Sequence, residues 1–400
     1  MHRDFIEAHL ACDRFMAAIE AANEPPIERW PHFITKFQVL LGEGRAAEAG
    51  EFLTGLLPLF TGGLRQRTET CVLVARACAA KANSPGEFPE RLRECLREMH
   101  LANWPAILLN LPDLLAGICA DGIELDIESE FCRSLIKKRA LLPPASRPRR
   151  WPWALHVHVL GAFSLERDGV PLDLGPKPST RSLDIVRALA VAKDHSCAVQ
   201  QLYDWLWPDL DGDQAKAACE QALHRLRRLL GRADLVVQRE GKVRFAGDKV
   251  WVDLDYWEGR LSDELHRDAP TAEVERALNE FPGPLLRDEQ TPPWAMPAAE
   301  RVRRTLIDLA KRLGARLEER GEAPGACEVY LRALDAYPTS ERCYEALVRA
   351  RLSAGDPAGA LEDFLRCERV LASTLQRKPG PSLRALIAPL VPSLGTVSHS

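Results

Sequence analysis

The spacing of apolar residues changes along this chain, and that change narrows its possible folds more than any other feature. Up to about residue 138 apolar side chains recur at helical intervals with no alternating stretch, as in FITKFQVLLGEGRAAEAGEFLTGLLPLF. The run LHVHVLGAFSLERDGVPLDL then alternates, as half-buried strands do. Three helical stretches follow, near 179–193, 198–207 and 213–230, before LVVQREGKVRFAGDKVWVDL alternates again. Helical spacing returns beyond it. A chain of 400 residues with this pattern divides among several cores rather than filling one.

Punctuation refines the division. Gly42 and Gly44 mark a turn between two amphipathic halves, and Asp168-Gly169 and Glu240-Gly241 mark hairpin turns. Residues 139–153, RALLPPASRPRRWPW, hold four arginines, four prolines and no acid, the composition of a linker. In the last third Gly321, Ala326, Tyr330 and Leu331 repeat as Gly355, Ala360, Phe364 and Leu365, a period of 34 residues. That period resembles the tetratricopeptide repeat, whose stacked helical hairpins offer a concave surface to partners or to a second copy. Gly44, Ala49 and Leu53 keep the same offsets near the N-terminus.

Composition limits the function classes. With 53 Lys and Arg against 57 Asp and Glu, the formal charge of −4 gives no global basic field, so a polyanion-binding surface has to be local. The 11 cysteines are odd in number, form no C-x-x-C pair, and read as reduced, buried thiols. The charged start MHRDFIEAHLACD lacks an apolar signal core, which places the chain in a reducing cytoplasm. Leu101–Ala120 is the most membrane-like stretch, but its two prolines, Asn103, Asn110 and Asp113 point to a buried helical segment and no membrane partner. No G-x-S-x-G elbow, thiol-protease signature or G-x-x-x-x-G-K-[ST] loop is present, so neither catalytic nor cofactor-binding residues are assigned and nucleotide-driven switching has no support. His156 and His158 share a strand face without a third ligand, read as exposed histidines rather than a metal site. Glu318, Glu319 and Glu322 read as a solvated helix end.

The central segment carries the chemistry. Three helices closed by a hairpin are the order of a winged helix-turn-helix, whose last helix enters the major groove while the hairpin reaches the neighbouring backbone. In that helix, DQAKAACEQALHRLRRLLG, a 100° step puts Ala215, Ala218, Cys219, Ala222, Leu226, Leu229 and Leu230 on one side. Ala217, Gln221, His224, Arg225 and Arg228 face away, flanked by Lys216, Glu220 and Arg227. Between Gln214 and Arg244 eight basic residues oppose three acidic ones, a local +5 that leaves the rest of the chain at −9. Lys216, Gln221, His224, Arg225, Arg227 and Arg228 are thus candidate DNA contacts, with Arg239, Lys242 and Arg244 on the wing better placed for phosphates. Arg227 and Arg228 also lie where any helix favours cations, in the last turn.

These residues resemble the bacterial transcriptional activator domain regulators of the antibiotic regulatory protein type, whose DNA-binding part is similar to the OmpR/PhoB winged helix. The likeness spans about residues 154–388 and rests on HVLGAFSLERDGVPLDL, LYDWLWPDLDGDQAKAACEQALHRLRRLLG, VWVDLDYWE and FPGPLLRDEQTPPWAMPAAERVRRTLIDLAKRL. It implies an activator that binds double-stranded promoter DNA as a homodimer and touches RNA polymerase through the loop from Trp207 to Gln214, with Trp207, Asp209, Asp211 and Asp213 as contact candidates. Trp205 and Trp207 read equally well as core packing. Two departures stand out: a helical block precedes the winged helix, with a junction that resembles MalT-like regulators, and Lys242-Val243-Arg244-Phe245 replaces a Tyr-containing wing turn.

The expected fold is therefore mainly α, helical repeats flanking a central winged helix-turn-helix domain with short β-hairpins. Its parts are an N-terminal helical domain (1–138), the linker (139–153), the winged helix (154–258), the activator domain with its repeats (259–390) and a disordered tail (391–400). A second reading keeps the fold but makes the chain a scaffold whose winged helix serves protein contacts.

Overall fold

Helical spacing in the first part of the chain becomes α1 (Pro26–Gly42), α2 (Ala46–Leu56), α3 (Gly62–Asn83), α4 (Phe88–Leu101), α5 (Pro112–Glu124) and α6 (Ser129–Arg139). The computed structural model describes Arg14 and residues 26–102, 111–175, 180–266, 271–287 and 291–390, and divides into two compact units, Met1–Pro152 and Trp153–Ser400. In the first unit α2 packs on α1 and α3, α3 on α4, and α5 on α6. The chain reverses between α1 and α2 through Gly44, at φ +79, and Ala49 and Leu53 are buried in the interface that follows. The apolar stretch at 101–120 is not one helix, because α4 ends at Leu101 and Pro112 opens α5. Among the described residues no helix is long and apolar enough to cross a membrane.

The second unit opens with β1 (Leu155–His158), β2 (Ser164–Arg167) and β3 (Val170–Pro171). Asp168 and Gly169 take φ +51 and +78, the two-residue turn expected there. Then come α7 (Thr180–Val191), β4 (Ser196–Ala198), α8 (Val199–Leu206), α9 (Gly212–Leu230), β5 (Val236–Arg239), β6 (Lys242–Phe245) and β7 (Val250–Val252). One sheet has the order β3-β2-β1-β7, the other β4-β6-β5. The second alternating run is therefore more than a hairpin: β5 and β6 pair with each other, while β7 leaves them to lie parallel to β1, with Trp251 opposite His156. That pairing corrects the reading of the two histidines as exposed. His156 and His158 are half-buried, their rings parallel within 8° and packed 5.4 and 5.6 Å from the Trp251 ring.

From β7 the chain passes directly into α10 (Asp253–His266), then α11 (Thr271–Glu280), α12 (Met296–Glu319), α13 (Ala323–Ala336), α14 (Glu341–Ser353), α15 (Pro357–Leu375) and α16 (Pro381–Ile387). Gly321 and Gly355 sit at equivalent turns with φ +77 and +75, so the 34-residue period is one of structure: α12 and α13 form one hairpin, α14 and α15 the next. The domain border expected at residues 258–259 falls inside α10, and one apolar core runs unbroken from Leu155 to Ile387. Backbone bonds stitch the two parts: Gly161 N–H donates to Pro284 at 2.8 Å and Leu286 N–H to Val159 at 2.7 Å. The tail expected at 391–400 and the helical reading of residues 1–13, 15–25 and 103–110 lie outside the described residues.

Candidate nucleic-acid interface

The ends of α9 are fixed by local chemistry. Asp211 precedes the helix and its Oδ1 accepts the Gln214 N–H at 2.9 Å, so one of the loop acids has a capping role. At the other end Gly231 takes φ +68, and Arg167 of β2 donates Nη1 to the last helical carbonyl, Leu230, at 3.2 Å. Between these caps Ala215, Cys219, Ala222, Leu223, Leu226 and Leu230 are buried, and Ser182 of α7 donates to the Ala222 carbonyl at 3.0 Å. The buried stripe leaves the opposite face open: Lys216, Gln221, His224, Arg225 and Arg228 are all exposed, and the helix runs roughly 27 Å at 1.5 Å per residue. Arg227 differs. It is half-buried and its Nε donates to the Val236 carbonyl of β5 at 3.1 Å, clamping the helix to the wing.

The wing presents a second row. Arg239 stands opposite Lys242 across the β5-β6 pair, and Lys242 and Arg244 alternate with buried Val243 and Phe245, so all three cations share the outward face. Glu240 and Gly241 make the tight turn, at φ +52 and +71. On its other edge β6 pairs with β4, which fixes the wing against α7 and α8. Among the described residues no carboxylate lies within 4.0 Å of Arg225, Arg228, Arg239, Lys242 or Arg244.

Not every cation of the +5 window is open. Arg232 bonds Asp234 at 3.2 Å, and Lys249 reaches the same carboxylate at 2.9 Å. The hydrogen bonds from Arg232 and then Lys249 hold the Asp234 carboxyl well below the usual carboxylate range. Charge thus sorts into a closed cluster beside the helix end and an open set on α9 and the wing.

Of the loop candidates, Trp207 is half-buried against the core, whereas Asp209, Asp211 and Asp213 are exposed. Sequence reasoning missed Arg167, whose partner lies 63 residues away, and Trp294, which stacks on Trp205 at 5.8 Å. No local pattern signals either pairing. Among the described residues no group of three or more His, Cys, Asp or Glu is placed to hold a metal ion.

Residues 258–390 match the family model of the bacterial transcriptional activator domain. The chain is 27% identical over 255 residues to the regulatory protein AfsR of Streptomyces griseus, covering 58% of this chain and 24% of that protein. To the transcriptional regulatory protein EmbR of Mycobacterium tuberculosis it is 25% identical over 244 residues, covering 58% of this chain and 62% of the other. The chain thus spans about a quarter of AfsR and less than two thirds of EmbR. A solved structure of Mycobacterium tuberculosis EmbR in complex with a low affinity phosphopeptide matches with a TM-score of 0.45 at 21% identity, over 60% of this chain and 65% of that one. Residues 258–390 are thus a bacterial transcriptional activator domain, carried by a chain similar to the AfsR and EmbR regulators.

Proposed function

We propose that this chain is a cytoplasmic transcription regulator, an activator that binds double-stranded promoter DNA through α9 and the β5-β6 wing. The observation that carries the reading is the open set of cations: Arg225 and Arg228 on the exposed face of α9, with Arg239, Lys242 and Arg244 on one face of the wing and no carboxylate neighbour among the described residues. Side chains on the helix read base edges in the major groove, where arginine pairs with guanine, and the wing cations meet phosphates. Lys216, Gln221 and His224 complete the exposed helix face, and Arg227 orients the wing. The similarity to AfsR and EmbR supports a regulator, and the activator domain supports a role at promoters.

The finer roles follow from the same surface. The exposed acids of the Trp207–Asp213 loop are the surface offered to RNA polymerase, with Trp207 as its packed base. The N-terminal helices and the repeats of α12–α15 serve homodimerisation or response to a signal. No catalytic step is assigned.

Titration of a labelled duplex at several salt concentrations tests the reading. If the five open cations each displace a counterion, log affinity falls against log salt with a slope of about −4 to −5. Arg225→Glu with Arg228→Glu is expected to abolish binding while leaving the circular dichroism spectrum unchanged, since both side chains are exposed. Binding that survives that double substitution at native affinity overturns the assignment of α9 and favours a winged helix used for protein contacts.

A further inference from the structure

Where the winged helix meets the activator domain, a cleft of about 630 Å³ lies between α8 and the turn ahead of α12. Trp205 and Trp294 line it, stacked in an offset manner at 5.8 Å and 20°, each half-exposed. Pro208, Pro292 and Pro293 supply rigid apolar walls, so the shape needs little ordering on binding. The volume suits a small molecule rather than a folded partner, and the setting, a junction between two structural parts, is one where such sites concentrate.

The charges on the rim select the ligand. Asp184 is already paired, with Arg187 at 2.9 Å and Arg181 at 3.5 Å. Asp204 is exposed, accepts only a long bond from the Gln200 amide at 3.4 Å, and has no cation within 4.0 Å among the described residues. Neither indole has a cationic side chain over its face among the described residues. Arg181, the cation of the lining, is held to Asp184, so an anion in this cleft faces Asp204, and a neutral apolar molecule covers that carboxylate without pairing it. A positive group satisfies both the carboxylate and the electron-rich indole faces.

We propose that this cleft binds a small organic cation, a quaternary or protonated amine attached to an apolar body, with its charge between Asp204 and the Trp205–Trp294 pair. Trp205 belongs to the winged helix and Trp294 to the activator domain, so the occupant touches both and favours the arrangement that holds them together. The proposal goes beyond the reading of the chain as a DNA-binding regulator and does not depend on it.

The test is calorimetric titration of the full chain with benzyltrimethylammonium, using benzyl alcohol as the neutral and benzoate as the anionic comparison. The cation is expected to bind about tenfold or more tightly than either. Asp204→Asn, a change at an exposed position, is expected to weaken it several-fold in a folded protein, and Trp205→Leu to remove it. If Trp205→Leu fails to fold, Trp294→Leu is the second variant and Asp204→Asn still decides. Absence of heat at about 10 mM probe, equal binding of benzyl alcohol, or an unchanged affinity in Asp204→Asn each overturns the proposal. Duplex affinity measured on the same variants reports separately on the winged helix.

Discussion

Asp253 sits behind β1 almost completely buried, and its two oxygens accept the N–H groups of Val159 and Leu160 at 2.8 and 3.0 Å. Removing the carboxylate strands both donors away from water, so Asp253→Ala is expected to cost about 2–4 kcal/mol. A urea titration checks this, through a lower midpoint at unchanged slope. Two thiols of the winged helix give a second outcome. Burial pushes Cys197 and Cys219 up to about 11, from an ordinary value of 9.0. Because the unfolded thiols ionise first, stability is intact below pH 9 and falls as the pH rises from about 9 to about 11. The double substitution Cys197→Ala with Cys219→Ala is expected to flatten that part of the stability profile, apart from a uniform loss through the cavities. At this scale the sequence was legible where a residue's role depends on its own helix: the outward placement of Arg225 and Arg228 follows from a 100° step alone. Arg227 bonds a carbonyl nine residues on, and His156 is covered by Trp251 from a strand more than ninety residues later, so neither role is visible locally.

Elements with strong periodicity and defined ends were also legible. α9 has an Asp cap, a clean apolar stripe and a glycine stop, and both hairpin turns carry the left-handed pair that a two-residue connection requires. β4 escaped because three residues are too few to show a period, and β7, though inside the second alternating run, was not separable from that hairpin because its partner β1 is distant in the chain. The repeats show the reverse, since their signature is packing that a motif can encode. Gly314 of α12 lies against the ring of Tyr330 in α13, and a Cβ there overlaps that ring, which is itself buried and bonded to Glu318 at 2.7 Å. Alanine is the better helix former by up to ~1 kcal/mol, yet overpacking costs about 1–3 kcal/mol, so Gly314→Ala is expected to destabilise. Thermal melts of a double-mutant cycle decide the cause: in a Tyr330→Leu background the same change is expected to be neutral or stabilising.

Across the whole second unit, the winged helix and the activator domain share one continuous apolar core. The segment around Pro284 and Leu286 bonds to the backbone just beyond β1, through an isolated antiparallel bridge of Leu160 with Leu285 that ties the activator domain to the winged helix. Residues 153–390 produced alone are therefore expected to melt in a single transition, with calorimetric and van't Hoff enthalpies equal. A chain stopped after His266 is expected to lose cooperative unfolding. Two resolved transitions in the longer fragment sink the idea. Composition and period announced helices and strands but not this fusion, because long-range backbone pairing leaves no trace in spacing. It bears on how the two parts are joined: Val252 closes β7 and Asp253 opens α10, with no slack residue between them. If the proposed DNA contact turns β7, that motion is expected to enter α10 as a rotation, as through a lever without a hinge.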